Sequence, residues 1–292
     1  MKKLGFSLAF AGLLLVSSVG ASFAQSSDVS DSSASTGSSS TSTKGTAYHP
    51  PKAAKTSSSS DDWNGMYVGG YAGFGLRRAT ANTSTVFSST GYFAQASVGQ
   101  ISSSGRQQLN SSRFNGGGTF GYNHQSGSWV VGAEADFGFL NGTKAATTTT
   151  TYSCCSPTAF TVTQSVKTSW LMTARPRVGY VWGNTMAYVT GGLALTNITY
   201  TQNLTDTFAT AAESAAFKKT TAGWTGGGGI ESKINDRWSI KGEYLYAQFQ
   251  RRGVTSTNLT AFTPAIAFPQ NAFTDSIRLK EHLLRFGFNY HF

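Results

Sequence analysis

Nine charged side chains stand at short, even spacings among aromatic and glycine residues: Glu134 and Asp136, Arg175 and Arg177, Glu231 and Lys233, Lys241 and Glu243, and Arg285. On a strand, residues two apart point the same way, so each pair shares a face. Four acids stand against five bases, a near balance. If that face is buried, these groups must neutralise one another, because an unpaired buried charge costs several kcal/mol. The chemistry they suit is a salt-bridge network.

Other reactive residues are few. Cys154 and Cys155 are neighbours in "YSCCSP" and are the only cysteines. Adjacent Cα atoms lie about 3.8 Å apart, below the usual disulfide range. A strained vicinal disulfide, free thiols and intermolecular pairing are all open to them. With no His in that segment, a metal site there is disfavoured. The four histidines are His49, His124, His282 and His291. Only His282, beside Glu281, is placed to face a mouth of the fold. A hydrolytic site needs a His with Ser or acid partners, so the expectation is a non-enzyme without cofactor or metal. "WTGGGGIES" (224–232) and "NGGGTFG" (115–121) lack the helix and Lys of a phosphate loop. They are read as backbone that lets large neighbours pack or a sheet curve.

These side chains need strands to position them. Eight Gly- and aromatic-rich segments alternate with polar ones: 63–77, 113–125, 128–140, 167–183, 185–201, 219–234, 237–250 and 276–292. Segments two and three, four and five, and six and seven are joined by one or two residues, as in tight hairpins. The other connections, roughly 78–112, 141–166, 202–218 and 251–275, are long. Short and long connections therefore alternate. In an up-and-down barrel this gathers the short turns at one end and the long loops at the other. On the third segment Trp129, Val131, Ala133, Ala135, Phe137 and Phe139 oppose Glu134 and Asp136. On the last, Leu284, Phe286, Phe288, Tyr290 and Phe292 oppose Arg285.

Composition agrees with a β-rich chain. Only 12% of the 292 residues are charged, and 33 are Gly. The N-terminal "MKKLGFSLAFAGLLLVSSVGASFA" has the basic start, apolar stretch and small terminal residues of a secretory signal peptide, with cleavage expected after Ala24. Removing Lys2 and Lys3 lowers the formal charge from +10 to +8. The bases form no run of the kind that binds nucleic acid. Residues 26–60 hold 14 Ser and 5 Thr, a composition expected of a disordered tether.

Four features turn the apolar face outward to lipid. The chain carries an export signal. The apolar face stays uncharged along most segments. Trp and Tyr gather near segment ends, with Trp63, Trp129, Trp182 and Trp238 at the short-turn end and Trp170 and Tyr246 towards the other. The last segment is amphipathic to Phe292. An eight-stranded barrel is just wide enough to be filled by its own side chains. The expected fold is therefore all-β: an eight-stranded antiparallel transmembrane barrel over 61–292, plugged by its own ion pairs.

"DDWNGMYVGGYAGFG" (61–75) resembles the opening strand of the alphaproteobacterial outer-membrane barrels related to the 25- and 31-kilodalton surface antigens. "RFGFNYHF" (285–292) resembles their closing strand. The resemblance spans the barrel. It implies a Gram-negative outer-membrane location and a surface antigen of structural type that displays four loops. It also implies that Phe292, with Tyr290 and Phe288, signals to the barrel-assembly machinery. The Ser-rich tether and the Cys154–Cys155 pair depart from the family pattern. A small porin and a surface binder of haem, or of a host or plant surface, are the alternatives. Arg77, Arg78 and "QFQRR" (248–252) offer bases that could meet lipopolysaccharide phosphates at the long-loop end.

Overall fold

Sustained two-residue alternation gives long strands, and closing them into a ring satisfies every edge. The computed structural model describes residues 62–292. The elements are β1 (Gly65–Thr85), α1 (Gln95–Ser104), β2 (Gln107–Gln108), β3 (Ser111–Ser126), β4 (Trp129–Thr151), β5 (Ala159–Trp182), β6 (Thr185–Asp206), β7 (Ala212–Lys233), β8 (Trp238–Phe249), β9 (Arg252–Ser256), β10 (Thr260–Ala261), β11 (Ile266–Ala267) and β12 (Phe273–His291). Eight of them form the ring β1–β3–β4–β5–β6–β7–β8–β12, and β12 returns antiparallel to β1. Closure leaves no open edge for lipid to leave unsatisfied. The signal peptide, Ala24 and the tether at 25–60 lie outside the described residues.

Two of the tight turns depend on glycine. Gly127 and Gly183 have φ of +59° and +57°, between the paired ends Ser126/Trp129 and Trp182/Thr185. Glycine adopts that left-handed conformation without a Cβ clash.

The wall has two levels. In the lower one, large apolar side chains such as Phe74, Phe114, Phe139, Leu193 and Phe286 are exposed on the outside, while charged groups fill the inside. In water so much exposed apolar surface would drive association; here it is a lipid-facing belt. No helix among the described residues is long and apolar enough to cross a membrane.

Above Trp170, Trp224 and Tyr246 the polarity inverts. The outside becomes threonine-rich: Thr147 and Thr163 hydroxyls meet at 3.1 Å and Thr149 and Thr161 at 2.9 Å across β4 and β5. The inside becomes apolar, with Ala79, Leu140, Val166, Ile198, Leu245 and Leu279 packed together. A second cluster, including Phe93, Ile101, Phe160, Leu204 and Phe273, closes the top. The transmembrane barrel thus continues upward as a barrel with the polarity of a water-soluble one.

This corrects the reading of four long loops. Much of 141–166 and 202–218 is strand, leaving tips of only 152–158 and 207–211. The first connection holds α1, which packs on β1 and β4. The fourth holds β9 to β11. Once a wall leaves the bilayer its outer residues turn polar, so the apolar outer face that marks a transmembrane strand disappears there.

Candidate functional site: a buried charge network

In the lower barrel the strand register places the inward charges at one height. Glu134 lies opposite Arg175 on β4 and β5, and Arg285 lies opposite Glu243 on β12 and β8. Arg175 reaches three acids: its Nη2 lies 2.8 Å from Glu134 and 3.0 Å from Asp136, and its Nη1 lies 3.0 Å from Glu243. Arg177 pairs with Glu231 at 3.1 Å and Glu134 at 3.4 Å. Lys241 Nζ is 2.8 Å from Glu134. Arg285 is 3.1 Å from Asp136 and 3.8 Å from Glu243. None of these side chains is more than 3% exposed.

Neutral partners add to the shell, as a buried ion network requires. The Tyr67 hydroxyl donates to Glu134 at 2.7 Å and that of Tyr188 to Glu243 at 3.2 Å. Asn289 and Ser239 each donate to Glu231 at 2.6 Å. The Arg177 guanidinium stacks over Tyr67 and Tyr188, each centroid 4.9 Å away, and that of Arg285 over Tyr71 at 4.3 Å. Arginine suits this place because its planar fork serves several carboxylates and stacks on rings.

Lys233 lies lower. Its ammonium donates to the Asp62 carbonyl and lies 5.3 Å from the Trp63 ring. Trp63 is fully buried at the short-turn end, packed near Val130 and Met186. It therefore plugs the barrel floor and takes no part in a lipid girdle. Trp129, Trp182 and Trp238 do face outward.

A second charged level was not anticipated. Arg113 pairs with Glu281 and also contacts Thr168. Arg77, 1% exposed, donates to the Gly142 carbonyl at 3.2 Å. Arg77 thus points inward and is withdrawn from any lipopolysaccharide role, whereas Arg78 is exposed. The signal lay in strand phase: residue 281 shares the face of 285, and 77 that of 67 and 71. The same phase places His282 outside, where its Nδ1 meets the Tyr244 hydroxyl at 2.8 Å. It faces the belt, not a mouth.

Phe288 and Phe292 are exposed on the lipid side with Tyr290 between them half-buried. Cys154 and Cys155 are joined as a vicinal disulfide at the tip between β4 and β5. Beside it Tyr92, Phe93, Tyr152 and Phe208 line a cavity of about 170 Å³. Among the described residues no three His, Cys, Asp or Glu side chains gather as metal ligands.

The family described as "Outer membrane protein beta-barrel domain" matches residues 51–292. The 31 kDa outer-membrane immunogenic protein of Brucella melitensis is 32% identical over 247 residues, covering 83% of this chain and 88% of that protein. The 25 kDa outer-membrane immunogenic protein of Brucella abortus is 28% identical, covering 64% of this chain and 66% of that protein. Among solved structures, the outer membrane protein OprG from Pseudomonas aeruginosa matches with a TM-score of 0.43 at 12% identity, covering 78% of this chain and 97% of that one.

Proposed function

Given that the chain belongs to the outer-membrane protein β-barrel family, we propose that this outer-membrane protein acts structurally, as a closed strut that supports the envelope and displays its upper level outside the cell. It is a non-enzyme in this reading. The observation that carries it is the interior. A water-filled pore would expose the ion pairs that line it, and here no network side chain exceeds 3% exposure. The proposed partners are outer-membrane lipid on the belt, lipopolysaccharide phosphates near exposed Arg78 and Arg251, and the barrel-assembly machinery, which would read Phe288, Tyr290 and Phe292. The test is planar-bilayer recording of the refolded barrel. Absence of steady open steps is expected; regular steps would establish the porin alternative.

A second reading, a surface ligand-binding protein, is supported by the aromatic cavity at the upper tips. Its 170 Å³ is close to the ~150 Å³ that admits one benzene ring. A haem macrocycle is far larger, and no His lines the cavity. Titration with haem is expected to leave the Soret band unshifted, and a shifted band would revive haem binding.

A further inference from the structure

Three connections of the upper barrel meet around one aromatic cavity. Tyr92 and Ser97 come from the first connection, Tyr152 and the vicinal disulfide from the tip between β4 and β5, and Phe208 from the tip between β6 and β7. The rings of this wall are already held. Tyr92 packs edge-on to Phe93 with centroids 5.0 Å apart and lies 5.5 Å from Phe268. Tyr152 packs on Phe160 at 5.1 Å. The Tyr92 and Tyr152 hydroxyls both donate to Oδ2 of Asp206, at 2.5 and 3.0 Å. A preformed wall spares a ligand the cost of ordering it.

One hydroxyl of the wall is unspent. Ser97, in the first turn of α1, lines the cavity and is 2% exposed. Ser102 and Ser103 of the same helix donate back to the Val98 and Gly99 carbonyls, at 3.0 and 2.9 Å. The Ser97 hydroxyl has no such partner among the described residues. Buried polar groups are normally hydrogen-bonded, so this one calls for an explanation. The charge of the surroundings narrows what could answer it. No Lys, Arg or His lines the cavity, and the acid Asp206 stands behind the two tyrosines. An anionic ligand would meet a like charge and no counter-ion.

We propose, resting on the ligand-binding reading of this cavity, that it takes a neutral single-ring aromatic molecule of the phenol class, with the ligand's oxygen on the Ser97 hydroxyl. A dry cavity of about 150 Å³ holds benzene, and the 170 Å³ here adds room for one small substituent. Aromatic walls favour another ring through edge-to-face and offset contacts. Sulfur is polarizable and makes favourable contacts with ring edges. A serine hydroxyl can donate or accept, so it serves a phenol oxygen in either sense. A phenol, with a pKa of about 10, is neutral at pH 7.

The test follows para-fluorophenol by fluorine NMR with the full chain refolded in detergent, empty micelles serving as the blank. Saturable binding, on the order of millimolar or tighter, is expected for so small a ligand. Ala94→Trp, a change at an exposed residue on the cavity wall, should fill the space and abolish binding while retaining heat-modifiable migration. Ser97→Ala should weaken para-fluorophenol about two- to tenfold, the worth of one neutral hydrogen bond, and leave fluorobenzene unchanged. Para-fluorobenzoate should bind more weakly than para-fluorophenol. Equal affinity for fluorobenzene and para-fluorophenol, with no response to Ser97→Ala, would overturn the ligand class and leave the ligand-binding reading standing. So would tighter binding of para-fluorobenzoate. No saturable binding of any of the three rings, or binding untouched by Ala94→Trp, would overturn the proposal and that reading together.

Discussion

Arg175 is the hub of the lower interior because one guanidinium serves Glu134, Asp136 and Glu243 together. Removing it strands three acids in a dry interior. Arg175→Met is expected to destabilise the barrel by about 3–5 kcal/mol, the cost of breaking a buried pair. Urea titration of the refolded barrel, followed by gel migration without boiling, measures it; a change under ~1 kcal/mol would show the network to be dispensable. Glu213 behaves differently. Burial moves its carboxyl from 4.5 to about 7, so the folded chain holds a proton that the unfolded chain releases. Its contribution to stability is complete below pH 4.5 and is lost as pH rises through 7. The groups facing it are Asp275, which pushes it the same way, and the neutral Gln202 and Ser256. The wild-type barrel should lose stability across that window relative to Glu213→Gln. Parallel pH profiles for the two proteins would refute the assignment.

At the scale of the element, the seam between β1 and β12 decides whether the sheet closes. Gly73 lies opposite Arg285 there, and a Cβ on it would come within 2.0 Å of the Leu284 carbonyl oxygen. That oxygen is backbone and cannot step aside. Gly118 on β3 is on the outer face, and its nearest contact would be 3.7 Å away. Gly73→Ala is therefore expected to lower the folded fraction after refolding, at about 1–3 kcal/mol. Gly118→Ala should refold like wild type. Equal yields on heat-modifiable gels would mean that the seam relaxes without cost. The pair separates close strand approach from the general conformational cost of glycine, which both changes remove alike.

For the whole molecule, the height at which polarity inverts marks where lipid ends. Below it the protein meets hydrocarbon with Phe and Leu; above it threonines meet water. The upper level is walled by paired strands, so a protease acting from outside should find only its tips. Cleavage of intact cells is expected within 152–158 and 207–211 and along the first and fourth connections. Protection is expected at the turns 127–128 and 183–184. Cutting of intact cells at either turn would invert the topology.

The sequence by itself determined the eight-strand count, the alternation of short and long connections, and the phase that sets Arg285 inward and Phe286 outward. Strand periodicity is local, so neighbouring residues suffice to read it. It also made the charge balance visible, since four acids and five bases can be counted without knowing their distances. Only the tertiary structure decided which charges meet. Lys233 falls to the floor beside Trp63, while Arg113 and Glu281, from distant strands, pair with each other. It alone showed that stretches such as "TTTTT" (147–151) belong to strands, because a uniformly polar run carries no period. Glu213 and Asp275 are 62 residues apart in sequence and on strands that are not neighbours in the ring. Closure of the sheet brings them into one buried layer, and the register of strands far apart in sequence is a property of the closed barrel alone.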